Sequence, residues 1–254
     1  MNSPYILDET ENFAVVFKPP RMHCEPLEKD LMQSRKGEES VMEDEGALTI
    51  LEWYCTQKGF AEGIRLMHRL DFETNGLVLF AKNESSYNSF KEQQENDGFV
   101  KEYSAVCVSE ESSVALDGFP NSGSVPLSLN ENSSLIQSYF RPYGSGRKQV
   151  RPVIDDGKKH KEIAKDKGGF YKTEIISVKE NVFTVRIKRG FRHQIRCHLC
   201  WAGFPIQNDP LYTFTQALPP LGELALRSHA LFFADPKSER QLCFNIAPLA
   251  SSQS

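Results

Sequence analysis

The segment His68–Lys82, HRLDFETNGLVLFAK, constrains this chain more than any other stretch. Two apolar runs flank Thr74-Asn75-Gly76. Asn and Gly both tolerate positive φ, so the pair predicts a hairpin turn between two strands, with arms at Ile64–Leu70 and Leu77–Ala81. The hairpin sets Asp71 at the end of a strand, beside Arg69. A lone carboxylate held by a rigid turn next to a cation stays ionised and can act as a nucleophile. Local chemistry alone favours a simpler role, an aspartate that caps its own loop.

The remaining periodicity predicts more strands than helices. Phe13–Phe17 reads as a strand stopped by Lys18-Pro19-Pro20. Val100–Val108 alternates, with Tyr103, Ala105 and Cys107 on one face. Tyr171–Val178, Val182–Lys188, Ala225–Phe233 and Leu242–Ile246 are further strands, and Val182, Thr184, Arg186 and Lys188 give one of them a basic outer face. Helices are expected over Ala47–Lys58, with Leu48, Leu51 and Cys55 on one side and Gly59 ending it, and after Asn83, carrying Tyr87 and Phe90. A third is expected over Arg192–Ala202, which would set Arg192 and Arg196 one above the other. Residues 21–46 read as an acidic, mobile insert and Glu110–Ser134 as loop. Few helices alternate with the strands. The expected class is therefore α+β, a mostly antiparallel central β-sheet with flanking helices, in a single domain over residues 1–254.

Composition narrows the function. With 39% apolar and 25% charged residues, the chain has an ordinary soluble composition. It has no apolar run long enough for a membrane span and no secretory signal pattern. Six scattered cysteines suggest reduced thiols and a cytoplasmic location. Cys197 and Cys200 form a C-x-x-C without a second ligand pair, so no metal is expected. Net charge is −4, against indiscriminate nucleic-acid binding, yet ten Lys/Arg and four acids lie between Arg141 and Lys172. Basic regions in an acidic protein suit a selective polyanion site, although most charge runs are simply solvated faces.

Several segments together resemble the RluA-type pseudouridine synthases. The family signature HRLD-x-x-T-S-G-L-L-L-x-A-K stands here as HRLDFETNGLVLFAK, with Asn75 in place of the usual serine. A second block, H-Q-I-R-x-H-L followed by G-x-P-I and G-D-x-x-Y, stands as HQIRCHLCWAGFPIQNDPLY from His193 to Tyr212. Lys101-Glu102-Tyr103, RPYGSGRKQVRPV from Arg141 and Ser228-His229-Ala230 also match. Two departures stand out. Phe191 takes the place of the arginine in the usual T-G-R-T, with an extra arginine at Arg192, and Asn208-Asp209 replaces Gly-Asp.

The resemblance implies an RNA pseudouridine synthase, with Asp71 as the catalytic aspartate, Tyr103 as the tyrosine against the target base and Arg196 as the arginine paired with the aspartate. Arg69, Lys82, Arg192 and His193 are the expected RNA contacts. The isomerisation adds no atom and changes no oxidation state, so no cofactor is expected. The substrate would be ribosomal or transfer RNA, ribosomal by preference, and the protein a cytoplasmic monomer lacking the small RNA-binding domain that many relatives carry in front. Two other readings remain open from residues alone: an inactive RNA-binding or RNA-folding module on the same scaffold, and an aspartate glycosidase. Glycosidases generally use two carboxylates, and Glu73, on the turn, is a poor second.

Overall fold

The computed structural model describes residues 3–26, 48–59, 62–108, 117–120, 128–130, 133–154, 170–213 and 222–251. Strands β1 (Tyr5–Glu9), β2 (Phe13–Lys18), β3 (Arg65–Leu66), β4 (Asn75–Ala81) and β5 (Val100–Val106) alternate with helices α1 (Ile50–Lys58) and α2 (Glu84–Glu95). Then follow β6 (Ser128–Asn130), β7 (Ser133–Tyr143), β8 (Gln149–Val153), β9 (Tyr171–Lys179), β10 (Val182–Ile187), helix α3 (Gln194–Trp201), β11 (Leu226–Ala234) and β12 (Gln241–Asn245). They form one sheet in the order β1-β2-β4-β11-β5-β10-β9-β7-β6, with β3 on β4, β8 on β7 and β12 on β11. Among the described residues β4 and β11 run parallel, while the other strand pairs are antiparallel, as the α+β expectation requires.

The centre of the sheet is covered on both faces, which is why β2 and β4 read as unbroken apolar runs. Ala14, Val16, Val78 and Phe80 point into a core closed by Ile50 and Tyr54 of α1 and by Ile195 and Leu199 of α3. Their neighbours Phe13, Val15, Leu77 and Leu79 point the other way, against Phe90 of α2 and Phe233 of β11. Capping boxes start α1 (Thr49 with Glu52) and α2 (Asn83 with Ser86), and a left-handed Gly59 ends α1. Helix α1 begins later than expected and buries Ile50 and Tyr54, whereas Leu48 is exposed.

The hairpin exists, but its turn is not Asn-Gly. Leu66 pairs with Phe80 and Arg65 with Ala81, so residues 67–74 form the connection. Asn75 and Gly76 already belong to β4, lying beside Arg227 and Ser228 of β11. Gly76 has φ +125, and a Cβ there would sit 2.2 Å from the Ser228 carbonyl oxygen. The glycine serves the close approach of two strands rather than a reversal. The actual turn is earlier, where the Thr74 amide donates to the Asp71 carbonyl at 3.1 Å.

Other expectations shift in the same way. Residues 21–26 are tied to the core, with Cys24 buried and the His23 carbonyl accepting from Ile50 at 2.9 Å. The rest of the acidic insert, 27–46, lies outside the described residues, as do 155–169 of the basic stretch. Part of the expected Glu110–Ser134 loop is strand, since β6 and the start of β7 fall within it. The basic face of β10 is partly neutralised: Arg186 lies opposite Glu102 and bonds it at 2.6 and 3.0 Å. Among the described residues no helix is long and apolar enough to cross a membrane.

Candidate active site

Asp71 leaves the core on the 67–74 loop, with 21% of its side chain exposed. Helix α3 aims Arg196 at it from inside the protein. Arg196 is 1% exposed, and its Nη1 lies 3.4 Å from Asp71 Oδ2. The bidentate partner of this guanidinium is another residue. Nε and Nη2 each donate to Asp209, both at 2.8 Å. Asp209 is buried, and its Oδ1 also accepts the Leu211 and Tyr212 amides at 2.9 and 3.0 Å. Burial alone would push Arg196 down; the bonds and charge of Asp209 outweigh it, with help from Asp71, and the guanidinium is held charged.

The expected Arg196–Asp71 pair exists, but Arg196 is shared between two acids. Asp209 takes the fork and leaves one nitrogen for Asp71. The replacement of Gly-Asp by Asn208-Asp209 is benign here, because position 208 is left-handed (φ 61) and asparagine tolerates that region. Phe191, in the arginine's place, stacks on Phe140 at 5.0 Å and 1°.

His193 also joins the site. It lies in the residue just before α3, its Nδ1 3.0 Å from the Tyr212 hydroxyl and its Nε2 3.9 Å from Asp71 Oδ1. Tyr103, on β5, is 5% exposed. Burial pushes its phenol up, the Asp71 charge adds to this, and a bond with the Ser228 side chain pulls the other way. Tyr103 therefore keeps its proton and stands within electrostatic reach of Asp71. A cavity of about 190 Å³ is lined by chain neighbours of both acids, Glu73, Asn208 and Pro210, and by Pro20 and Arg21.

The structure does not gather the other expected contacts here. Arg69 is 75% exposed and lies 3.9 Å from Glu25, so Arg196 rather than Arg69 is the cation at Asp71. Lys82 is bonded to Glu9 at 2.7 Å and to the Thr10 carbonyl at 2.6 Å. Arg192 precedes α3 instead of sharing a face with Arg196, and donates to the carbonyls of Arg147 and Gln149. His198 is buried between the hydroxyls of Ser138 and Thr173, each at 2.9 Å. Cys197 and Cys200 form no disulfide and are buried in an aromatic cluster with Phe140, Tyr171 and Tyr212.

Sequence reading missed three supporting residues. Asp209 and Tyr212 stood in the quoted G-D-x-x-Y block, but pattern alone did not show what they bond. Lys18 was read only as a strand stop. It is buried, donates to the carbonyls of Pro19 (2.9 Å), Met22 (2.8 Å) and Phe72 (3.3 Å), and so ties the Asp71 loop to β2. Burial pushes its pKa down to about 8, against the pull of Cys24, Asp71 and Glu73. The missed signal is a lysine directly continuing an apolar strand into Pro-Pro.

The chain belongs to the RNA pseudouridylate synthase family, whose model matches residues 12–201. It is 26% identical to an uncharacterized RNA pseudouridine synthase of Helicobacter pylori over 254 residues, 95% of this chain and 65% of that protein. It is also 26% identical to the uncharacterized RNA pseudouridine synthase YjbO of Bacillus subtilis over 250 residues, covering 98% and 74% of the two chains. The solved structure of human RNA pseudouridylate synthase domain containing 1 shares the fold, with a TM-score of 0.63 at 17% identity, over 97% of this chain and 84% of that one. The chain spans just under two-thirds of the length of the Helicobacter relative.

Proposed function

We propose that this protein isomerises specific uridines in structured RNA to pseudouridine, with ribosomal RNA as the preferred substrate. The reading rests on the Arg196 Nη1–Asp71 Oδ2 contact of 3.4 Å, a carboxylate at the surface steadied by a guanidinium that is itself anchored to Asp209. The target uridine must leave its stack to reach Asp71, at a cost of a few kcal/mol. Stacking on Tyr103 offsets part of this, at roughly 1–3 kcal/mol per base. Asp71 acts on the ribose, at the anomeric carbon or on a ribose proton, and the N1 glycosidic bond breaks. The free base turns, C5 bonds to C1′, the C5 proton is lost and N1 takes one up. Atoms and electrons balance without redox chemistry. Arg69, Arg192 and His193 are the proposed RNA contacts, Arg69 being 75% exposed. Six cysteines, none in a disulfide, support work in a reducing cytoplasm, and the reading takes the protein as a monomer.

The test pairs a site-specific map of pseudouridine in total RNA, with and without the gene, with purified D71N on the RNA so identified. One or a few sites should vanish from the map, and D71N should bind that RNA without making product. A protein that binds RNA but modifies none would instead mark an inactive RNA-binding or RNA-folding module.

A further inference from the structure

His193 sits in a conformation that its helix does not need. It occupies the N-cap of α3 with φ 56 and ψ 17 and makes no side-chain cap bond. N-caps are normally extended and use a side-chain oxygen to close the first turn. Gln194 instead bonds backwards, its Oε1 accepting the amide of Phe191, upstream of the helix, at 2.9 Å. The left-handed region costs a non-glycine residue about 1–2 kcal/mol. Strain retained beside a reacting group points to a use for the side chain.

The ring's hydrogen bonds favour one tautomer. The Tyr212 hydroxyl oxygen accepts the Val150 amide at 2.9 Å. Its own proton is then free to go to His193 Nδ1, 3.0 Å away. An Nδ1 that accepts leaves the proton of the neutral ring on Nε2. That nitrogen faces Asp71 Oδ1 at 3.9 Å, while Arg196 Nη1 faces Oδ2 at 3.4 Å.

We propose that His193 is a positioning residue for Asp71: Tyr212 locks the imidazole in the tautomer that turns an Nε2–H toward Oδ1, so each carboxylate oxygen has its own donor. The inference deepens the proposed function and rests on Asp71 being the reacting group. A carboxylate engaged at one oxygen can swing about its Cβ–Cγ bond; one engaged at both keeps a single orientation toward the sugar. At 3.9 Å the contact is too long for a hydrogen bond. Catalytic contacts are often long without substrate and tighten in the bound complex.

The groups facing the ring are Asp71 and Asp209, which favour its cation, and Arg196 and Arg192, which oppose it; burial opposes it most, and the ring lies below its ordinary value. Protonation would also place a hydrogen on Nδ1, leaving Tyr212 to accept twice. The ring is neutral at neutral pH.

The tautomer can be read without catalysis. Long-range proton–nitrogen spectra of full-length protein with labelled histidines, assigned through H193Q, should show His193 neutral with its proton on Nε2. Y212F should mix the tautomers. A proton on Nδ1, or an imidazolium, in the wild type overturns the proposal. Single-turnover rates on the mapped RNA supply the functional arm. H193A should slow the chemical step at saturating RNA by of order 10²-fold, well beyond any loss of RNA affinity. H193Q, whose amide N–H reaches the ε position, should recover most of that rate, and H193N should not. Equal rates for H193A and H193Q, or a loss confined to RNA affinity, sinks it. Wild-type protein making no pseudouridine would refute the Asp71 reading itself, a result separate from a wrong tautomer.

Discussion

Arg196 gives two guanidinium nitrogens to Asp209 and only the third to Asp71, at 2.8, 2.8 and 3.4 Å. The inner acid holds the cation; the outer acid is left with one long contact and access to solvent. This division sets Asp71 beside a cation without locking it into a closed ion pair.

Removing the inner acid should therefore cost more stability than removing the outer one. D209A leaves a buried guanidinium with only the 3.4 Å Asp71 contact, and breaking such a buried pair typically costs about 3–5 kcal/mol. D71N, at a partly exposed position, should lie within about 1 kcal/mol of wild type. Urea unfolding of both variants decides the order. A D209A protein as stable as D71N would mean that Asp209 is not the anchor.

D71N should nonetheless be the variant that loses chemistry. Product on the mapped RNA should fall below detection while gel-shift affinity stays within a few-fold. Wild-type turnover by D71N would remove Asp71 from the mechanism.

Arg69 and Lys82 should separate although both flank the same segment. Arg69 is 75% exposed, so R69A should leave stability unchanged, weaken RNA binding and lower the salt slope by about one. Lys82 is 16% exposed and engaged by Glu9, so K82M should lower the melting temperature and leave the salt slope alone. Salt titrations of binding, alongside thermal melts, would reveal a reversal.

Gly76 should tolerate no side chain. G76A combines φ +125 with a Cβ 2.2 Å from the Ser228 carbonyl oxygen, and backbone must move. We expect a loss of at least about 3 kcal/mol in denaturant unfolding. A loss under about 1 kcal/mol would show that the β4–β11 approach is loose.

Two buried groups should tilt the pH dependence of stability. Burial pushes His198 down to about 3 from 6.5. Between those values the unfolded chain binds the extra proton, so stability rises with pH across that window and falls as pH drops. Lys18 lies at about 8 against 10.5, and the same sign makes stability rise between those values. Each group contributes a slope of at most about 1.4 kcal/mol per pH unit. Urea midpoints of H198N and K18M against pH should lose the low and the high slope respectively; unchanged slopes would contradict these shifts.

Strand and helix positions were legible in the chain because each depends on local periodicity and caps: FAVVF, the alternation through Tyr103, and Asn83 as a cap all emerged where expected. Asn75-Gly76 misled because a glycine that admits a neighbouring strand has the same letter as one that reverses the chain. The Arg192–Ala202 helix misled because His193 adopts a left-handed conformation that no periodicity records, moving the start to Gln194 and taking Arg192 off the face of Arg196.

The sequence by itself determined most of the elements and the motifs, and through them the family, and it singled out Asp71, Tyr103 and Arg196 as candidates. Only the tertiary structure decided which acid Arg196 serves first, that Lys82 is occupied by Glu9, and that Tyr212 reaches His193. These are contacts between residues far apart in the chain or on different sides of a turn, settled by which buried charge must be satisfied before any can be spared. Residue order records the groups available; only packing decides how a limited set of donors is divided among them.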